Sequence, residues 1–447
     1  MEMKRREFLK AGTAVLGAVV MTGQGISVMS GEKEAEAAAT AEKKIKRRFE
    51  VRLGPYNEKG LDVVMPEEII LCDVTLRDGE QTAGVAFSLE EKVACARRLS
   101  DLGIPQIQLG HADTPRGWKE AEAISKLGLA SKIEIMAAGG AGPKEWRRQV
   151  DAALACGANV SHANIATSSY MRNMQGDIPE SAVIQRLEEI VIYMRKNGAK
   201  IVNITCMDAF RTEENFLLEV VRHMGELGVD RFRIADTAGT GTPEGISYLT
   251  RRVRETLSPY PRPPIIGFHC HNDFGLGLAN VFAAVKAGAR LIDVTLNGLG
   301  ERAGNPALVE VAMGLEAFYG INTKLRLDKL HEISKYGEKI SAKPIPDNKP
   351  FVGGLVYADQ SDNHVKAYLD DPWAFEGVRP SVFGNQHKIL VGIKTGNNIL
   401  EYKIRELKLD VPRERYPQIL ERIRALSVKR KGEILTDEDL ISIIHQS

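Results

Sequence analysis

Between residues 68 and 298 the chain carries eight short runs rich in β-branched residues, separated by longer amphipathic stretches rich in Ala and Leu. They are EIILCDVTL (68–76), IPQIQLG (104–110), KIEIMAAG (132–139), NVSHANIA (159–166), KIVNITCMD (200–208), RFRIADT (231–237), PIIGFHCHND (264–273) and LIDVTLNG (291–298). Strand patterns alternating with helical stretches of about 10 to 20 residues read as βα units around a parallel sheet. Two helix starts are marked: Ser88-Leu-Glu-Glu is a capping-box pattern, and Thr242-Pro243 places Pro at the first turn. Eight repeats fit one closed (β/α)₈ barrel, an α/β TIM-barrel fold over residues 67–322. No G-x-G-x-x-G follows the first run, so a dinucleotide-binding sheet loses its main support. Beyond residue 322 the rhythm stops. A Pro-rich stretch (KPIPDNKP, 343–350) and Gly353-Gly354 mark a linker, and residues 343–447 read as linker plus a small, mainly helical C-terminal subdomain.

Lys plus Arg number 60 against 59 Asp plus Glu, so no global field draws the protein to nucleic acid or an anionic membrane. Small molecules are the expected partners. Cys72, Cys95, Cys156, Cys206 and Cys270 are scattered, odd in number and free of any CxxC, which points to buried thiols. Residues 1–40 read as a leader. KRREFLK (4–10), with Arg5 and Arg6, resembles a twin-arginine export signal, although Lys4 stands where Ser or Thr is usual. An apolar stretch from Ala11 to Met21 and the small-residue run AEAAAT (35–40) complete the pattern. The other reading is a basic leader that is never exported.

In a (β/α)₈ barrel the chemistry sits at the C-terminal strand ends. Asp73 and Asp78 bracket the end of the first run, and His269 and His271 form an H-x-H pair at the end of the seventh. Alternation along a strand puts both histidines on one face and Cys270 on the other. Strands seven, eight and one are neighbours in a closed ring. Asp78, both histidines and the loop NGLGERAGN (297–305) therefore converge, with Asn305 offering an amide oxygen. One carboxylate, two imidazoles and an amide suit Mg²⁺, Mn²⁺, Zn²⁺ or Co²⁺.

DVTLRDGEQTAGVAFSLEEK, IADTAGTGTP, GFHCHNDFGLGLAN and LNGLGERAGNPALVEV together resemble the signatures of the isopropylmalate, homocitrate and citramalate synthases, relatives of hydroxymethylglutaryl-CoA lyase. LCDVTLRDGEQTAGVAFS is closest in wording to the homocitrate synthase branch. The resemblance implies an acyltransferase of amino-acid biosynthesis that condenses acetyl-CoA with a 2-oxo acid at a divalent metal. It implies Asp78, His269, His271 and Asn305 as metal ligands. Arg77 would neutralise charge on the acceptor and Thr237 bind its carboxylate. Gln81 and Glu301 lie on the same rim, either positioning ligands or bonding neighbouring loops. His364, in SDNHVKA, aligns with a tail histidine that aids proton transfer, often from the partner subunit of a homodimer. No further domain of about 100 residues follows, so leucine-sensing regulation is not expected.

Four departures stand out. Gln108 replaces a usual Glu after strand two, and Met207 replaces another after strand five, beside Asp208. Gly392-Ile-Lys-Thr-Gly396 replaces G-K-H-S-G, and ATSSYMR (166–172) differs from leucine- and lysine-pathway forms. Rival readings are a lyase or aldolase of the same superfamily, cleaving a 3-hydroxy acyl-CoA or a 4-hydroxy-2-oxo acid, and an exported, non-catalytic metal- or metabolite-binding relative. The lyases carry a cysteine in the loop after strand eight, and GLGERAGN has none. Location is drawn two ways: the leader points to export through the twin-arginine translocase to the periplasm, and acetyl-CoA points to the cytoplasm.

Overall fold

The computed structural model describes residues 45–61, 63–139, 145–174 and 178–446, so the leader reading on residues 1–40 lies outside the described residues. Eight strands alternate with eight helices in the order read from the sequence. The first half comprises β1 (Ile70–Asp73), α1 (Leu89–Leu102), β2 (Gln106–His111), α2 (Pro115–Ser125), β3 (Lys132–Gly139), α3 (Glu145–Ala155), β4 (Val160–Ala166) and α4 (Glu180–Lys196). The second comprises β5 (Ile201–Met207), α5 (Glu214–Glu226), β6 (Arg231–Asp236), α6 (Pro243–Leu257), β7 (Ile265–Cys270), α7 (Gly277–Ala287), β8 (Leu291–Val294) and α8 (Leu308–Tyr319). All pairings are parallel, and the barrel closes where β1 meets β8, from Ile70 beside Leu291 to Asp73 beside Val294.

Local chemistry starts the helices where the sequence placed them. The Ser88 hydroxyl accepts from the Glu91 backbone N–H and the Glu91 carboxylate accepts in return from the Ser88 N–H, a complete capping box for α1. Thr242 caps α6 by accepting from the Gly245 N–H, with Pro243 in the first turn. The eighth strand is shorter than its apolar run. It ends at Val294, and a single turn over Leu296–Gly298 follows, with Asn297 at φ +57°.

Strand alternation sorts the side chains. On β1, Leu71 joins the core between sheet and helices with Cys95 and Leu99 of α1. Cys72 and Val74 meet Leu291 in a small inner cluster. The rest of the interior is unusually polar for a barrel, where branched apolar side chains dominate. Gln106, Gln108, Glu134, Asn203, Arg233 and Asp293 are all buried.

Beyond the barrel, α9 (Leu330–Ser341) packs into the main core through Leu330, Ile333 and Ile340, and Val352, Val378 and Phe383 continue that core. A separate core joins the C-terminal helices α10 (Asp362–Asp370), α11 (Asn397–Glu406), α12 (Tyr416–Lys429) and α13 (Asp437–Gln446) through Val365, Ile399, Ile419 and Leu440. The fold is thus an eight-stranded barrel with a helical C-terminal domain. Among the described residues no helix is long and apolar enough to cross a membrane.

Candidate metal centre

Asp78 lies five residues past β1, on the turn Asp78–Gln81, where its backbone N–H is held by the Val74 carbonyl. His269 points into the barrel from β7, and His271 stands just past the strand end. Their ligand atoms lie within 4.8 Å of one another, the one such His/Cys/Asp/Glu group among the described residues. His269 Nε2 is 3.3 Å and His271 Nε2 3.9 Å from Asp78 Oδ2. Asp78 Oδ1 and Oδ2, His271 Nδ1 and Asn305 Oδ1 are buried without a hydrogen-bond partner, although the Asn305 amide donates to the Leu299 carbonyl. Orphaned buried acceptors of this kind are costly unless something binds them. A divalent cation fits the donor set of carboxylate, two imidazoles and amide.

Electrostatics prepare the ligands. Burial opposes ionisation of Asp78, but the Arg77 guanidinium and the two imidazoles outweigh it and hold the carboxyl below the usual range. Burial and the neighbouring His269 push the His271 imidazole down to about 4, so at neutral pH it is uncharged, as a metal ligand must be. His269 Nδ1 is 2.9 Å from Asp293 Oδ2, which orients the ring and leaves Nε2 toward Asp78.

A buried polar chain runs on from that contact. Asp293 lies 3.1 Å from Arg233, which donates to Glu134 at 3.0 Å. Gln108 donates to Glu134 at 2.7 Å and accepts from Arg77 Nε at 2.6 Å. Arg77 closes the circuit, 3.4 Å from Asp78. Glu134 also lies 2.8 Å from His162 and accepts from Asn203 and Gln106. Arg233 and His162 hold its carboxyl well below the usual range despite complete burial. Asp293, Arg233 and Glu134 escaped the sequence reading. Their signal was a charged residue inside an otherwise apolar run, at the parity that faces the barrel axis (IEIM, FRIA, LIDV).

The cavity at the C-terminal strand ends, about 470 Å³, is lined by Arg77, Asp78, Gln81, Thr237, His269 and His271 among others, so most of the expected residues share one space. Glu301 also lines it. The Thr237 hydroxyl accepts from the Asp208 N–H at 2.9 Å and keeps its own proton to donate. Asp73 points outward from β1, toward Cys95 of α1, and takes no part in the cluster. Asp208 stands beside Met207 but turns away at φ +61°, bonded to Ser168 and Arg211, so the cavity wall there is the Met207 side chain. Arg77 pairs with Asp78 and Gln108 and not with Glu80, which binds Lys92 at 2.5 Å and Arg116 at 2.6 Å. His364 sits on α10, half-exposed and stacked on Phe375 at 4.4 Å, and is not among the residues lining the cavity of its own chain.

A closed barrel with a buried Asp-His-His cluster beside an arginine at the strand ends is the frame of a metal-dependent barrel enzyme, and the chain belongs to the HMGL-like family, whose model matches residues 68–336. A homocitrate synthase post-HMGL domain-like model matches residues 351–431. The chain is similar to a putative (R)-citramalate synthase of Methanopyrus kandleri, 35% identical over 86% of this chain and 74% of that protein. It is 36% identical to a 2-isopropylmalate synthase of Methanocaldococcus jannaschii, over 85% of this chain and 72% of that protein. It is also 36% identical to the homocitrate synthase AksA of Methanopyrus kandleri, over 87% and 95%. The chain is thus an enzyme of the 2-isopropylmalate, citramalate and homocitrate synthase group, with no preference in identity for the homocitrate branch.

Proposed function

We propose that this protein catalyses a Claisen-type condensation of acetyl-CoA with a 2-oxo acid at a divalent metal. The observation that carries this reading is the buried Asp78 carboxylate, whose oxygens accept no hydrogen bond, facing the His269 and His271 imidazoles in a cavity that also holds Arg77. Asp78, His269, His271 and Asn305 would hold the ion, which when bound supplies Lewis-acid polarisation of the 2-oxo group. Arg77, fixed by Gln108 and beside Asp78, neutralises negative charge on the acceptor's oxygens as the new bond forms. The Thr237 hydroxyl donates to the acceptor's carboxylate, and Gln81 orients it from the rim. A base takes a proton from the donor's methyl group, the resulting carbon attacks the oxo carbon, and water then cleaves the thioester to release the thiol of CoA.

His364 serves proton transfer from the partner subunit of a homodimer, and it is not among the residues that line the cavity of its own chain. The barrel at residues 67–322 is the catalytic domain and residues 343–447 the part that reaches the partner. The loop after β8 holds no cysteine, and the five cysteines present are all buried, which favours condensation over the lyase chemistry. Purified protein loaded with Mn²⁺ should release thiol from acetyl-CoA in the presence of at least one of pyruvate, 2-oxoisovalerate, 2-oxoglutarate and glyoxylate. No thiol release with any of the four would sink the proposal.

A further inference from the structure

Among the described residues, three Arg or Lys side chains line the cavity: Arg77, Lys92 and Arg233. Two are already neutralised. Lys92, from α1, lies 2.5 Å from Glu80 and 2.7 Å from Glu120. Arg233 lies 3.0 Å from Glu134 and 3.1 Å from Asp293, fully buried with both. Arg77 is the one of the three not enclosed by two carboxylates, since it spends Nε on the neutral Gln108 amide and meets only Asp78, at 3.4 Å. A divalent ion would share Asp78, so the two together have charge for one substrate carboxylate and for the oxyanion that forms from the oxo group. No further Arg or Lys remains for a second carboxylate, and burial disfavours a charge on His111, which lines the cavity with its Nδ1 unpartnered.

The opposite wall agrees with this count. In a ring of eight strands β5 stands across the barrel from β1, so Met207, at the end of β5, faces the side from which Arg77 projects. Met207 and Met136 of β3 both line the cavity, and Asn164 turns its amide to the Met207 sulfur at 3.7 Å. Asp208, the carboxylate beside Met207, is held outside the cavity by Ser168 and Arg211. His162 is bonded through both ring nitrogens, to Glu134 and Thr205. Glu301, half-exposed on the rim and 3.5 Å from Arg302, adds no cation to the cavity. A carboxylate brought against the two methionines would lose its water without gaining a cation, which a buried charge does not tolerate.

Resting on the condensation reading above, we infer that this site takes a 2-oxo acid with a single carboxylate and an uncharged side chain, and that Met207 is the specificity-determining residue. Met207 from β5 and Met136 from β3 each offer an adaptable apolar surface for that side chain. The Mn²⁺-loaded protein is titrated calorimetrically with pyruvate, 2-oxobutyrate and 2-oxoisovalerate, and in parallel with oxaloacetate and 2-oxoglutarate; thiol release is followed for the same acids. Monocarboxylates are expected to bind, and to be turned over with kcat/KM about 100-fold or more above the dicarboxylates. Met207→Arg should shift the preference toward 2-oxoglutarate by about tenfold or more, and Met207→Leu, of similar volume, should keep the wild-type preference. Dicarboxylates that bind wild type as tightly as monocarboxylates would overturn this inference and leave the condensation standing. Absence of binding by both series would overturn the condensation and this inference together.

Discussion

Buried carboxylates on adjoining strands meet different fates here, because parity decides whether a side chain faces the barrel axis or the helices. Asp293 faces the barrel axis and holds His269, so Asp293→Asn should weaken metal retention by about 10–100-fold while leaving the fold intact. His269→Ala should abolish retention, and metal content after gel filtration checks both; unchanged content in the alanine variant would remove His269 from the ligand set. Asp73 has the opposite parity. Burial pushes its carboxyl up to about 7, against hydrogen bonds from Thr75 that pull it down. An acid raised in this way stays protonated in the native state while the unfolded chain has already ionised. Its contribution is complete below the unfolded pKa near 4, and is lost as pH rises to about 7 at about 1.4 kcal/mol for each pH unit. Asp73→Asn keeps an acceptor for the Thr75 N–H and cannot ionise. Relative to wild type it should therefore gain stability as pH climbs from 4 to 7, read by urea unfolding at several pH values. A constant difference across that range would contradict the raised carboxyl.

At the scale of elements, the site is assembled by loops that bind one another across strand ends. The loop after β8 is tied to the turn after β1 by Thr82, which accepts from the Gly300 N–H at 2.8 Å. Arg302 ties the same loop to Asp273 after β7 at 2.8 Å and to the Thr237 carbonyl after β6 at 2.6 Å. Gly304 is where this loop tolerates no side chain. It sits at φ +82°, and a Cβ there would come 1.9 Å from the Gly298 carbonyl oxygen. Gly304→Ala should displace Asn305 and lower metal affinity with little loss of helical signal, since the barrel strands and helices lie outside the loop. Calorimetric Mn²⁺ titration beside circular dichroism tests this, and wild-type affinity would show that the loop does not set the fourth ligand.

For the whole molecule, the proposed role of His364 in the partner's site is tested by complementation between subunits. Arg77→Ala and His364→Ala should each be nearly inactive alone. Co-expressed, they should recover about a quarter of the wild-type rate, because half of randomly paired dimers restore one complete site. No recovery would assign His364 to its own subunit or to no catalytic role. The repeat of eight apolar runs, the capping box at Ser88 and the H-x-H pair were legible in the sequence, since hydrogen-bond ladders, helix caps and strand parity act over a few residues. Strand ends were less so. LIDVTLNG reads as one run, yet the strand stops at Val294 because the following segment must turn to carry Asn297–Asn305 over the site. Asp78, His269 and His271 could be joined on paper once a closed ring was assumed. What the linear chain could not decide was charge pairing inside the barrel: which carboxylate meets Arg77, that Asp208 turns away while Met207 forms the wall, and that Glu134 and Asp293 both pair with Arg233. Those choices depend on distances between strands far apart in sequence and on the loss of water between them, and only the folded ring sets either.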